Sequence, residues 1–232
     1  MLRTTAALAS LALAIPGAQA TLLDRGGGLI YDTVLNITWL QDANHARTSG
    51  YDADGAMTWA ESKAWAEGLV YAGFSDWRLP SIAPQNGVSF QFGGSYDGST
   101  DAGYNNAGTS YELAHLYYST LGNISAFTTD GTPTSCNSNG LCWTNFGPFL
   151  NVTPSFTGWY GQAFALFPSY AWMFGSGTGH QFGTNDNGFG RAWAVHPGDI
   201  GAPVPEPASL LMLLAGLGVV AARRHRLARS PA

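Results

Sequence analysis

Residues 73–81 read Gly-Phe-Ser-Asp-Trp-Arg-Leu-Pro-Ser, and the rest of the chain is organised around them. Pro80 pushes Leu79 out of helical geometry, so the segment is read as extended. Side chains alternate along an extended chain, which places Trp77 and Leu79 on one side and Asp76 and Arg78 on the other. The apolar pair then belongs to a core and the segment to the scaffold. Arg78 has three readings: a pair with Asp76, hydrogen bonds to loop carbonyls, or a clamp for a substrate oxyanion or carboxylate. No nucleophile lies near it in sequence, so a structural Arg78 is expected.

On the N-terminal side, residues 29–31 and 37–40 are β-branched and aromatic runs around a polar turn, which is a β-hairpin pattern. A polar loop over 41–55 follows. Its Asp52-Ala-Asp54-Gly55 fragment lacks the further oxygen ligands and closing Glu of a calcium loop, and is read as a solvated loop. Thr58-Trp-Ala-Glu61 spells a capping box. It opens a helix to about Leu69, with Trp59, Ala66 and Leu69 toward the core and Trp65 elsewhere.

On the C-terminal side, residues 83–108 form a long Gly/Ser/Asn/Asp-rich loop. Thr109-Ser-Tyr-Glu112 repeats the capping-box spelling before a second helix. That helix has Leu113, Leu116, Tyr117 and Leu121 at helical spacing, with His115 off the stripe and expected at the surface. Residues 170–174 alternate aromatics with period two, a glycine-rich turn follows, and residues 191–199 read as a closing strand. Asn185, Asp186 and Asn187 mark a tight turn.

Composition narrows the class. Charged residues are 11%, aromatics 13% and glycines 30 in number, in a chain of 232 residues. A disordered chain shows the reverse balance, so a folded, loop-rich domain is expected. Half of the ten cations are Arg3, Arg223, Arg224, Arg226 and Arg229, in the two terminal segments. The domain between them carries 14 acids against five bases, a net −9. That charge lacks the footprint of a nucleic-acid binder. Cys136 and Cys142 are the two cysteines, and in an exported chain they are candidates for a disulfide. Their spacing is no zinc pattern, and neither a metal nor a cofactor is expected.

Residues 1–20 have the parts of a secretory signal: Arg3, an apolar run, and Ala18-Gln19-Ala20 as the cleavage site. At the other end, Val204-Pro205-Glu206-Pro207 precedes an apolar segment over 208–222 and then Arg223-Arg224-His225-Arg226. The segment is shorter than the roughly 20 residues of a comfortable span, and its arginines would stay cytoplasmic. This order resembles the PEP-CTERM sorting tail, assigned to residues 203–228 with a transmembrane helix over 208–222. The resemblance implies an exosortase-type protease as partner, a cut near residues 205–207, transient residence in the inner membrane, and an association with exopolysaccharide. A permanent C-terminal anchor is the other reading.

Trp77-Arg78-Leu79-Pro80, with the hairpin holding Trp39, the two helices and the closing strand, resembles the Lcl C-terminal-domain family over residues 21–202. The family usually has Arg where this chain has His196. The resemblance implies an α+β, C-type lectin-like fold: two helices, small antiparallel sheets and long loops. It also implies a binding protein of the cell surface or matrix. The candidate glycan-binding residues are Trp143, Trp159, Tyr160 and Trp172, whose rings could stack on sugars, with Asn185 and Asp186 to hydrogen-bond hydroxyls. The Glu-Pro-Asn and Trp-Asn-Asp motifs of calcium-dependent lectins are not in the domain. A secreted enzyme acting on polysaccharide is the alternative. It requires two carboxylates about 5–10 Å apart, whereas the acids here are scattered over loops. No nucleophile elbow is present, so the expectation is a non-catalytic protein. Mass spectrometry of the exported protein is expected to find Thr21 at its N-terminus; retention of residues 1–20 refutes the signal.

Overall fold

The fold begins in chain order with an N-terminal hairpin. Strands β1 (Leu22–Gly26), β2 (Leu29–Asp32) and β3 (Ile37–Leu40) form an antiparallel meander, with Leu29 opposite Leu40 and Ile30 opposite Trp39. The computed structural model describes residues 21–138 and 141–201. The β2–β3 turn is closed by Asp32, whose Oδ1 accepts from the amides of Val34 and Leu35, and by Asn36 in the left-handed region at φ 52°. Asn tolerates that region better than most residues. All four residues of β3 are buried.

Two short elements follow, α1 (His45–Thr48) and β4 (Ala56–Met57), then α2 (Trp59–Glu67). The capping box is formed: the Thr58 hydroxyl accepts from the Glu61 amide, and the Glu61 carboxylate accepts from the Thr58 amide. Trp65 is a correction. It is buried in the core beside His45, because α1 and its flanking loop cover that side of the helix.

The remaining elements are β5 (Gly94–Ser95), β6 (Ala102–Gly103), α3 (Glu112–His115) running into a π-helical turn (Leu116–Thr120), β7 (Thr157–Ala163), β8 (Tyr170–Gly175), β9 (His180–Asn185), β10 (Gly190–Arg191) and β11 (Val195–Pro197). Strand β11 returns to β3, giving a four-stranded antiparallel sheet ordered β1-β2-β3-β11 that joins the two ends of the domain. The second sheet is ordered β4-β10-β7-β8-β9-β6-β5, with parallel pairings at β10–β7 and β5–β6. The protein therefore has mixed α+β content, mostly sheet with few short helices. The expectation of small antiparallel sheets and two helices is corrected to one antiparallel and one larger mixed sheet, with α1 as a third helix.

Residues 73–81 join these layers. Arg78 and Val195 exchange both backbone hydrogen bonds, at 2.9 and 2.8 Å, so the segment adds a rung beside β11. Trp77 and Leu79 are buried, as their alternation implies. The Gly161 amide donates to Pro80 O, docking the segment on β7 at a β-bulge between Trp159 and Ala163. Arg78 pairs with neither Asp76 nor several loop carbonyls. Its Nη1 and Nη2 each donate at 2.8 Å to the Glu112 carboxylate, and Nη1 also donates to Leu79 O. Ser81 N donates to the same carboxylate at 2.6 Å.

This pairing overturns the second capping box. The Glu112 carboxylate is consumed by Arg78 and Ser81, and α3 starts at Glu112 with no side-chain cap. His115 is also corrected: it is buried, with Nδ1 at 2.9 Å from Ala107 O, because the loop before α3 folds over it.

Replacing Arg78 by Ala leaves a nearly buried Glu112 with one of its three donors. The expected loss is about 2–3 kcal/mol, read as a lower denaturant midpoint. Arg78→Lys recovers only part of it, because ammonium offers no two-pronged fork. An unchanged midpoint for Arg78→Ala refutes the structural role.

Burial holds His45 and His180 below the usual imidazole value of 6.5. The unfolded chain therefore takes up protons first as pH falls through about 6.5, and stability declines from there downward. Asp52, Glu61, Asp97 and Asp130 are depressed by hydrogen bonds, so their contribution is lost only below about pH 4. The melting temperature is expected to drop between pH 7.5 and 5.5. His180→Phe keeps the ring between Tyr104 and Phe182 and should shrink the drop; an equal drop in that variant refutes a share for His180.

Candidate binding surface

A cluster of Asx turns shapes the loop from Asp42 to Gly55. Asp52 Oδ1 accepts from the amides of Asp54 and Gly55, which holds its carboxyl below the usual range. Gly55 sits at φ +77°, and a Cβ there would lie 1.9 Å from Asn44 Oδ1, so only glycine fits. Asp42 organises the other end. It accepts from the Asn44 amide at 2.9 Å, the Thr48 hydroxyl at 2.6 Å and the Asn151 side-chain amide at 2.8 Å.

The last of these bonds crosses the fold. Ala43 N donates to Leu150 O and Leu150 N to Gln41 O, which lays residues 150–153 alongside α1. Strand β10 comes from a third direction. Arg191 pairs with Ala56 of β4, and its Nη1 donates to Asp54 O at 2.9 Å. The three segments enclose a concavity of about 440 Å³ bordered by Asn44, Arg47, Thr48, Asn151, Thr153 and Arg191. A second groove of about 340 Å³ continues along the same loop, lined by residues 49–51 and the end of α2, with Tyr51 and Val70 exposed.

Electrostatics distinguish the first concavity. Five cations lie among the described residues: Arg25, Arg47, Lys63, Arg78 and Arg191. Arg25 is paired with Asp199 and Arg78 with Glu112. Lys63 lies over the Trp59 ring. Arg47 and Arg191 have no carboxylate within ion-pair distance among the described residues, and they meet at this one cleft. Sequence reasoning missed both. A signal was present: they are the two domain cations with no acid within four residues along the chain.

The sequence-based candidates lie elsewhere. Trp143, Trp159, Tyr160 and Trp172 are at most 1% exposed, so none offers a face to a sugar. Trp159 Nε1 donates to Met57 O, Trp143 Nε1 to Asn145 O, and the Tyr160 hydroxyl to Gln181 Oε1. The alternating aromatics of β8 suggested one exposed face, but β8 lies between β7 and β9 and is covered on both sides. Asn185 Oδ1 is taken by the Asn187 amide, and Asp186 O accepts from Trp59 N, so this turn seats the start of α2.

Other expected features are structural. Cys136 and Cys142 are joined in a disulfide. His196 stands in the ring cluster of Phe74 and Trp77. Tyr96, Tyr104, His180 and Phe182 stack in series, with Tyr96 at the exposed end. No group of three or more His, Cys, Asp or Glu arranged to hold a metal occurs among the described residues.

Ala20, Val204, Pro205, Glu206, Pro207, Arg223, Arg224 and the proposed membrane helix over 208–222 lie outside the described residues. Among the described residues no helix is long and apolar enough to cross a membrane. No curated protein and no solved structure matches the chain. Residues 203–226 match the PEP-CTERM protein-sorting motif, which marks an exported protein sorted by an exosortase and anchored transiently in the membrane through its C-terminal motif.

Proposed function

We propose that the protein is a non-catalytic binding or matrix protein of the cell surface or extracellular space, delivered by its sorting tail and associated with exopolysaccharide. The observation that carries this reading is the sorting motif at residues 203–226. Two others support it. Successive residues of one loop line a polar cleft and a second groove with an exposed tyrosine, and donors and a ring are what sugars use. The loop acids are committed to structure: Asp52, Asp97 and Asp130 accept from nearby backbone amides and are held below the usual carboxyl range, which suits turns and not proton donation. The resemblance of residues 21–202 to the Lcl C-terminal-domain family, and through it to C-type lectin-like domains, rests on the sequence around Trp77-Arg78-Leu79-Pro80.

The test follows the protein in a cell that carries the sorting protease. Wild type is expected to lose its tail near residues 205–207, leave the membrane fraction and co-purify with the cell's own polysaccharide. Glu206→Ala is expected to remain with membranes. Wild type that stays membrane-bound and retains no polysaccharide above background refutes the reading.

A further inference from the structure

We infer that the cleft between Arg47 and Arg191 receives the carboxylate of an acidic sugar unit within a hydroxyl-rich polymer. The inference rests on the polysaccharide reading above and adds the chemical class of the ligand. The starting point is charge. Described cations outside this cleft are matched by a carboxylate or a ring face, in a domain of net −9. Two unmatched guanidinium groups bordering one concavity repel each other, and an anion between them removes that cost.

Geometry selects the anion. A guanidinium is a planar fork whose parallel N–H groups match a planar carboxylate. Arg191 commits Nη1 to Asp54 O. The Arg47 side chain has no hydrogen-bond partner among the described residues and is exposed. Asp42, which organises this loop, already takes three neutral donors from Asn44, Thr48 and Asn151.

Size and lining select what carries the carboxylate. At about 440 Å³ the cleft is larger than a lone ion requires and falls within the range of small-ligand pockets. Thr48, Asn151 and Thr153 border it with groups that can meet sugar hydroxyls. The adjoining groove, built by the next residues of the same loop, presents Tyr51, 61% exposed, to a neighbouring sugar ring. The domain's negative charge sets a limit. A uniform polyanion such as nucleic acid would be repelled, whereas a chain with acidic and neutral units in alternation places one charge in the cleft and the next ring on Tyr51.

Titration calorimetry on the exported protein tests this with four probes: a hyaluronan tetrasaccharide, which alternates glucuronate with N-acetylglucosamine; uncharged chitotetraose; sodium acetate; and a tetraglutamate peptide. The hyaluronan tetrasaccharide is expected to bind most tightly and to weaken as sodium chloride rises. Arg47→Gln and Arg191→Gln, each with an unchanged melting temperature, are expected to weaken it about tenfold or more. Equal binding of the acidic and neutral tetrasaccharides, unaffected by either substitution, overturns the carboxylate site and leaves the polysaccharide reading standing. Binding of acetate or tetraglutamate without either saccharide overturns the inference, as does no binding of any probe. Retention of the cell's own polysaccharide, measured separately, then decides the broader reading.

Discussion

The structure depends on the ion pair between Arg78 and Glu112, 34 residues apart in sequence. The Glu112 side chain is only 8% exposed, and burying a carboxylate without partners is prohibitive. Three donors, two from Arg78 and one from Ser81, offset that cost. The pair also fixes position. Through its backbone Arg78 holds β11, through Pro80 the segment holds β7, and through Glu112 it holds α3. Two sheets and a helix are thereby set by one nine-residue stretch. The long loop between the segment and α3 is then drawn in by Asp101, which accepts from Tyr111 and from the amides of Gln85 and Gln91.

The two capping-box spellings show which parts of the fold were legible in the sequence. Thr58 to Glu61 and Thr109 to Glu112 have the same pattern, yet only the first forms. Around Glu61 nothing distant competes for the carboxylate, so local chemistry decides. Glu112 faces an arginine that a bidentate, partly buried pair satisfies better than one turn of helix can. Local rules succeed where the group stays exposed, as in the Asx turns at Asp97 and Asp130. They fail where a long-range partner removes the group from water. The two-residue strands β4, β5, β6 and β10 were illegible for a related reason: their pairing is dictated by neighbours and not by any run of residues in their own sequence.

The aromatic residues teach the same lesson about the site. With 11% charged residues and many glycines, the chain must build its interior from rings. Six of eight tryptophans are essentially fully buried, so aromatic richness is a property of the core and not of a binding face. The surface chemistry lies instead in residues that look unremarkable one at a time: an asparagine after Leu150, an arginine on a four-residue helix, another beside a glycine turn. They are brought together by long-range bonds: Leu150 to Gln41 and Ala43, Asn151 to Asp42, Arg191 to Asp54, and the β4–β10 pairing.

The sorting motif and the described core occupy separate stretches of this chain. Every core residue among the described ones lies at or before Ile200, whose amide donates to Thr38 Oγ1 on β3. Arg25 and Asp199 then clamp the first strand to the end of the last. The sorting motif begins at residue 203, just past this clamp. The cut proposed near residues 205–207 falls beyond every residue of the described core and of both sheets. On the reading proposed above, both sheets and the cleft between Arg47 and Arg191 stay together on the N-terminal side of that cut.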